Sequence, residues 1–121
     1  MPFDDLLSQI LAFRDERDWD QFHQPKELAI ALSIEASELL EHFLWKSPEE
    51  VTQRIATKKT EISDELADIT VYLLELAHKM EIDLPAAIRS KLAKNAIKYP
   101  VAKAKGSNKK YSELADENDQ G

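Results

Sequence analysis

Apolar residues recur along the chain at helical spacing and almost nowhere with the alternation of a strand. Phe3, Leu6, Leu7, Ile10, Leu11 and Phe13 mark an amphipathic helix from about Phe3 to Arg17. The stretch Asp18-Trp19-Asp20-Gln21-Phe22-His23-Gln24 breaks that period, and Pro25 suits the first turn of a second helix running to about Trp45. Ser47-Pro48-Glu49-Glu50 is a helix start: Ser47 caps, Pro48 fits the first helical position, and Glu50 stands where a capping box needs it. The pattern then runs toward Met80, as one bent helix or, with a break at Thr57-Lys58-Lys59-Thr60, as two. Asp83 caps and Pro85 opens a last helix to about Ile97, before Tyr99-Pro100. The expectation is an all-α, four-to-five-helix bundle forming one domain over residues 1–114, with residues 115–121 a disordered acidic tail.

The polar positions inside these helices carry more information than the apolar ones. On the second helix Leu28, Leu32, Leu39 and Phe43 share a stripe with Glu35 and His42 at its edge, and Glu38 lies beside them. The opposite side still carries Ile30, Ile34 and Leu44, so one subunit cannot cover this helix and an oligomer is expected. On the following segment Ile62, Leu66, Ile69, Leu73, Leu76 and Met80 form one stripe, flanked by Glu61, Glu65, Asp68 and Tyr72. Like charges one turn apart repel by roughly 0.2–0.5 kcal/mol per pair even in water, so something cationic is expected between them.

Glu35-x-x-Glu38 and Glu65-x-x-Asp68 are two carboxylate pairs on two helices, and they converge if those helices are neighbours. Four hard oxygen donors favour Mg²⁺, with Mn²⁺ as a substitute, over zinc or copper. A di-iron bundle site would use Glu-x-x-His, which neither pair supplies. Glu41 and Glu61 stand near enough in sequence to extend the set. The competing reading is a salt-bridge network to Lys or Arg on a neighbouring helix, which would make the chain a non-catalytic helical interaction protein.

Composition narrows the field. Only two Gly accompany 43% hydrophobic residues, as in a helical protein, and with no Cys the chain has neither disulfides nor thiolate zinc sites. The net charge of −7 argues against nucleic-acid binding. Residues 1–83 carry 19 acidic and 8 basic side chains, whereas residues 84–112 carry eight basic ones and no acidic one. No apolar run reaches membrane-spanning length and the first residues are acidic, so no membrane association is expected and a cytoplasmic location is the default.

These residues carry a family resemblance. Glu35-Ala36-Ser37-Glu38-Leu39, Glu65-Leu66-Ala67-Asp68 with Tyr72, the loop Glu16 to Pro25, and Asn95-x-x-Lys98-Tyr99-Pro100 resemble the MazG-like nucleotide pyrophosphohydrolases of the all-alpha NTP pyrophosphatase group, and within them the dCTP pyrophosphatases. The resemblance implies Mg²⁺ held by Glu35, Glu38, Glu65 and Asp68, with one carboxylate, Glu38, also acting as general base. It implies a nucleoside pocket of Trp19, Asp20, Gln21, Phe22, His23, Trp45 and Tyr72, and phosphate contacts from Lys94, Asn95, Lys98, Lys109 and Lys110. The implied reaction converts a deoxynucleoside triphosphate, dCTP or a modified dCTP, to the monophosphate and pyrophosphate, in a homodimer or homotetramer. The chain departs from the animal dCTP members at Ile10, nine residues before Trp19, where those have His, so base preference stays open.

Overall fold

A computed structural model describes residues 3–108. Among the described residues there are six helices and no strand: α1 (Asp4–Glu16), α2 (Pro25–Glu41), α3 (Pro48–Thr57), α4 (Lys59–Lys79), α5 (Leu84–Lys98) and the short α6 (Val101–Ala104). The chain divides into two compact units, Met1–Ile82 and Asp83–Gly121.

The first unit is built on α4, against which α2, α1 and α3 pack, with α2 the dominant partner. Its buried apolar side chains are Leu28 from α2 and Ile62, Leu74 and Ala77 from α4, so the core is the α2–α4 seam. That seam sets the two acid-bearing helices side by side. Large apolar groups remain outside it, among them Ile30 (49% exposed) and Ile34 (53%) on α2 and Leu44 (44%) in the turn after it. A groove of about 350 Å³ between α1 and α4, lined by Leu6, Ile10, Leu66, Val71 and Leu74, is likewise apolar and open.

Helix ends follow local chemistry. Ser47 and Glu50 form the reciprocal capping box, with Ser47 Oγ accepting from Glu50 N at 3.2 Å and Glu50 Oε1 accepting from Ser47 N at 3.1 Å. The stretch expected as one bent helix or two is two, broken at Lys58 (φ −121°, ψ 28°), which ends α3 and precedes α4. α2 stops at Glu41 rather than near Trp45. His42 N and Phe43 N bond three residues back, to Leu39 and Leu40 carbonyls, and Trp45 takes a left-handed backbone (φ 60°) that no helix continues through. The apolar period outlasted the helix because this tight turn keeps Phe43 half-buried.

In the second unit, Asp83 caps α5 by accepting from Ala86 N at 3.1 Å, and Pro85 sits in the first turn. α5 ends at Lys98, before Pro100, and α6 adds one turn that the polar sequence did not predict. Among the described residues no helix is long and apolar enough to cross a membrane.

Candidate active site

The α2–α4 packing brings three of the four expected carboxylates together. One carboxylate oxygen each from Glu35, Glu38 and Glu65 lies within 4.8 Å of the others. Oε2 of Glu35 and Oε2 of Glu65 are buried with no hydrogen-bond partner. An unsatisfied buried carboxylate oxygen is costly, and among the described residues no Lys or Arg forms an ion pair with Glu35, Glu38, Glu65 or Asp68. The salt-bridge reading of the acid pairs therefore has no partner here. The close approach of Glu65 drives the Glu35 carboxyl up to about 7, aided by burial and by Glu38, with Asp68 adding the smallest push. Without a cation, Glu35 relieves the repulsion by keeping a proton. Asp68 is thus within electrostatic reach of the cluster without being in its tight core.

Asp68 instead borders a cavity of about 130 Å³ whose wall includes Trp19, His23, Tyr72, Glu75, Arg14 and Ile10. Its aromatic lining is contiguous: Phe13 to Trp19 ring centres are 5.9 Å apart, Trp19 to His23 6.0 Å, and His23 to Tyr72 6.5 Å. Burial, then the Glu35, Asp68 and Glu75 carboxylates, push the Tyr72 phenol up, so it stays protonated as a donor. His23 Nδ1 lies 3.0 Å from Oε1 of Glu75, a carboxylate only 2% exposed. Ile10 lies in this same wall.

The other expected site residues sort by place. Asp20 is engaged by Lys79 and, at 3.2 Å, by Arg14; the Lys79 hydrogen bond chiefly holds its carboxyl below the usual range. Gln21 ties down its own loop by donating to the Asp18 carbonyl and carboxylate, both at 3.0 Å. Phe22 (62% exposed) and Trp45 (93% exposed) do not line this cavity. Lys94, Asn95 and Lys98 lie on α5 in the second unit, and Lys109 and Lys110 fall outside the described residues. Glu61 does not join the three-carboxylate cluster.

Two features went unread in the sequence. Glu75 continues the stripe Glu61, Glu65, Asp68, Tyr72 by one more turn, so the same spacing pointed to it. A second cavity, of about 220 Å³, is lined by Glu38, Glu41, His42, Arg54 and Glu65. Glu41 belongs to it, whereas Arg54 comes from α3 and carried no motif.

Fold and site together define an all-helical protein with a carboxylate cluster set between an aromatic cavity and a polar one. The chain belongs to the MazG-like family, whose pattern matches residues 30–114. It is similar to dCTP pyrophosphatase 1 of Rattus norvegicus, 42% identical over 104 residues, and to that of Homo sapiens, 41% identical over 104 residues. Those matches cover 84% of this chain but only 61% of either relative, so the chain spans about three fifths of their length. The crystal structure of a pyrophosphatase from Archaeoglobus fulgidus superposes with a TM-score of 0.79 at 40% identity, over 83% of this chain and 94% of that one.

Proposed function

We propose that this protein hydrolyses a nucleoside triphosphate between its α- and β-phosphates, releasing a nucleoside monophosphate and pyrophosphate. One observation carries the proposal: the buried, partnerless oxygens of Glu35 and Glu65, gathered with Glu38 beside an aromatic cavity. The names of the similar proteins, dCTP pyrophosphatase and pyrophosphatase, support the reaction and favour dCTP or a modified dCTP as substrate.

The donor set fits a hard divalent cation, because its atoms are all carboxylate oxygens and two of them are orphaned. Glu35, Glu38 and Glu65 would hold Mg²⁺ or Mn²⁺, with Asp68 as the fourth carboxylate. When bound, the cation neutralises charge developing on phosphate oxygens and acidifies water. The chain's residues do the rest. Trp19, His23 and Tyr72 bind the base by stacking and edge hydrogen bonds, with Phe22, Gln21, Asp20 and Trp45 as further contacts. Glu38, the exposed member of the cluster, takes a proton from the attacking water. The uncovered apolar surfaces of α2 and of the α1–α4 groove suit a homodimer or homotetramer.

A product-resolved screen of common and modified nucleoside triphosphates with Mg²⁺ tests the reading. Pyrophosphate with the matching monophosphate is the expected pair, with dCTP or its modified forms preferred. No pyrophosphate from any nucleotide, in full-length protein at millimolar Mg²⁺, sinks it.

A further inference from the structure

The two cavities divide the carboxylate cluster between them. Asp68 borders the one with Trp19, His23 and Tyr72, while Glu38 and Glu65 border the one with Glu41, His42 and Arg54. The first offers ring faces to a base, and the second offers charged and polar groups. A nucleoside triphosphate whose α-phosphate lies at the shared cluster therefore points its base one way and its β- and γ-phosphates the other. The inference below rests on the pyrophosphohydrolase reading.

Arg54 is a cation bordering the carboxylates that has no carboxylate partner among the described residues. Its Nε donates to His42 Nδ1 at 3.3 Å, and among the described residues no side-chain hydrogen bond or ion pair engages its terminal nitrogens. Arg14, on the side of the aromatic cavity, is by contrast held by Asp15 at 2.9 Å and Asp20 at 3.2 Å. The His42 contact fixes the guanidinium by its inner nitrogen and leaves the outer fork free, the edge whose geometry matches phosphate oxygens. It also fixes His42, which must carry its proton on Nε2 so that Nδ1 can accept.

We infer that Arg54, positioned by His42, binds the pyrophosphate portion of the substrate and stabilises it as it leaves. In the reaction a water oxygen bonds to the α-phosphorus while the bond from that phosphorus to the α–β bridging oxygen breaks. The electron pair stays on the bridging oxygen, which departs on pyrophosphate, and the water's proton passes to a carboxylate. Charge accordingly grows on the β,γ side, where Arg54 donates hydrogen bonds and forms no bond of its own.

Product inhibition separates this role from mere neutralisation of the acidic cluster. Inhibition by magnesium pyrophosphate and by the nucleoside monophosphate is measured on wild type, Arg54→Ala, Arg54→Lys and His42→Ala, each checked for folding by its melting curve. Arg54→Ala weakens pyrophosphate inhibition by about tenfold or more, the scale of a lost charge-assisted pair, while monophosphate inhibition moves less than about twofold. Arg54→Lys falls between, keeping the charge and losing the fork, and His42→Ala moves pyrophosphate by a few-fold. Should Arg54→Ala unfold, Arg54→Lys carries the same comparison. Equal shifts for both products, or none for pyrophosphate, overturn the role of Arg54 and leave the pyrophosphohydrolase reading standing. A wild-type protein that hydrolyses no triphosphate removes that reading and this inference together.

Discussion

Two sets of carboxylates meet along α4 and differ in one respect. Glu75, 2% exposed, has His23 at 3.0 Å, and Asp20 has Lys79 and Arg14. Glu35 and Glu65, on the same α2–α4 seam, each bury an oxygen with no hydrogen-bond partner. The paired set is explained by folding alone, since each carboxylate has a hydrogen-bond or ion-pair partner from the chain. The unpaired set is not: a fold selected only for stability would have replaced one of those acids. The difference separates residues that hold the site from residues that wait for a ligand.

Neutralising one of the carboxylates proposed to hold the cation has the largest expected effect. Glu35→Gln, Glu65→Gln or Asp68→Asn lowers kcat/KM for the preferred triphosphate by about a thousandfold, roughly 4 kcal/mol of transition-state stabilisation. The same proteins without metal melt no lower than wild type, because a repulsive charge has gone. Steady-state kinetics and metal-free melting curves check the two halves, and retained activity in all three variants removes the cluster from the chemistry. Glu75 sets the opposite pattern. Glu75→Ala leaves His23 Nδ1 unpartnered in a covered wall and costs about 3 kcal/mol of stability, read by denaturant unfolding. If Glu75→Ala is neutral for stability, the paired set is not structural and the contrast collapses.

Magnesium sharpens the comparison from the ligand side. A cation that binds only the folded chain at 100 times its dissociation constant stabilises by about 2.7 kcal/mol, visible as a raised melting temperature in millimolar Mg²⁺. Wild type and Glu75→Gln are expected to respond, and Glu65→Gln is not. Equal responses in all three would mean that the ion sits elsewhere.

The sequence disclosed the part of this contrast that is periodic. Glu35, Glu38, Glu65 and Asp68 sit at one-turn spacing beside apolar stripes, so helical geometry alone placed each pair near a packing face, and the α2–α4 seam brought Glu35, Glu38 and Glu65 together. Helix starts were equally legible at Ser47 and Asp83, where capping is a matter of adjacent residues. The end of α2 was less so, because the turn through His42 to Trp45 preserves the apolar period while abandoning the helix. Glu75 was overlooked although it lay on a recognised stripe; its importance comes from burial against His23, fifty-two residues away in sequence, and distance in sequence hides partners. Arg54 had no signal at all, since its place beside Glu38 and Glu65 depends on α3 packing against α4, a property of the fold.

The smallest expected effect is a pH dependence, and its sign tests the proton that stands in for a cation. The Glu35 carboxyl lies at about 7 in the folded chain against an ordinary 4.5, so the folded state binds the proton more tightly than the unfolded state. Stability from this group is therefore complete below about 4.5 and is lost as pH rises toward about 7. Metal-free wild type should soften between these limits, while Glu35→Gln, with no proton to lose, should lack that component. Mg²⁺ reverses the trend in wild type, because the ion needs ionised carboxylates and binds better as the proton leaves. Melting curves at several pH values, with chelator and with Mg²⁺, read both slopes. Parallel slopes in the two conditions would mean that proton and cation do not compete for Glu35, and that its unpaired oxygen is not where the ion binds.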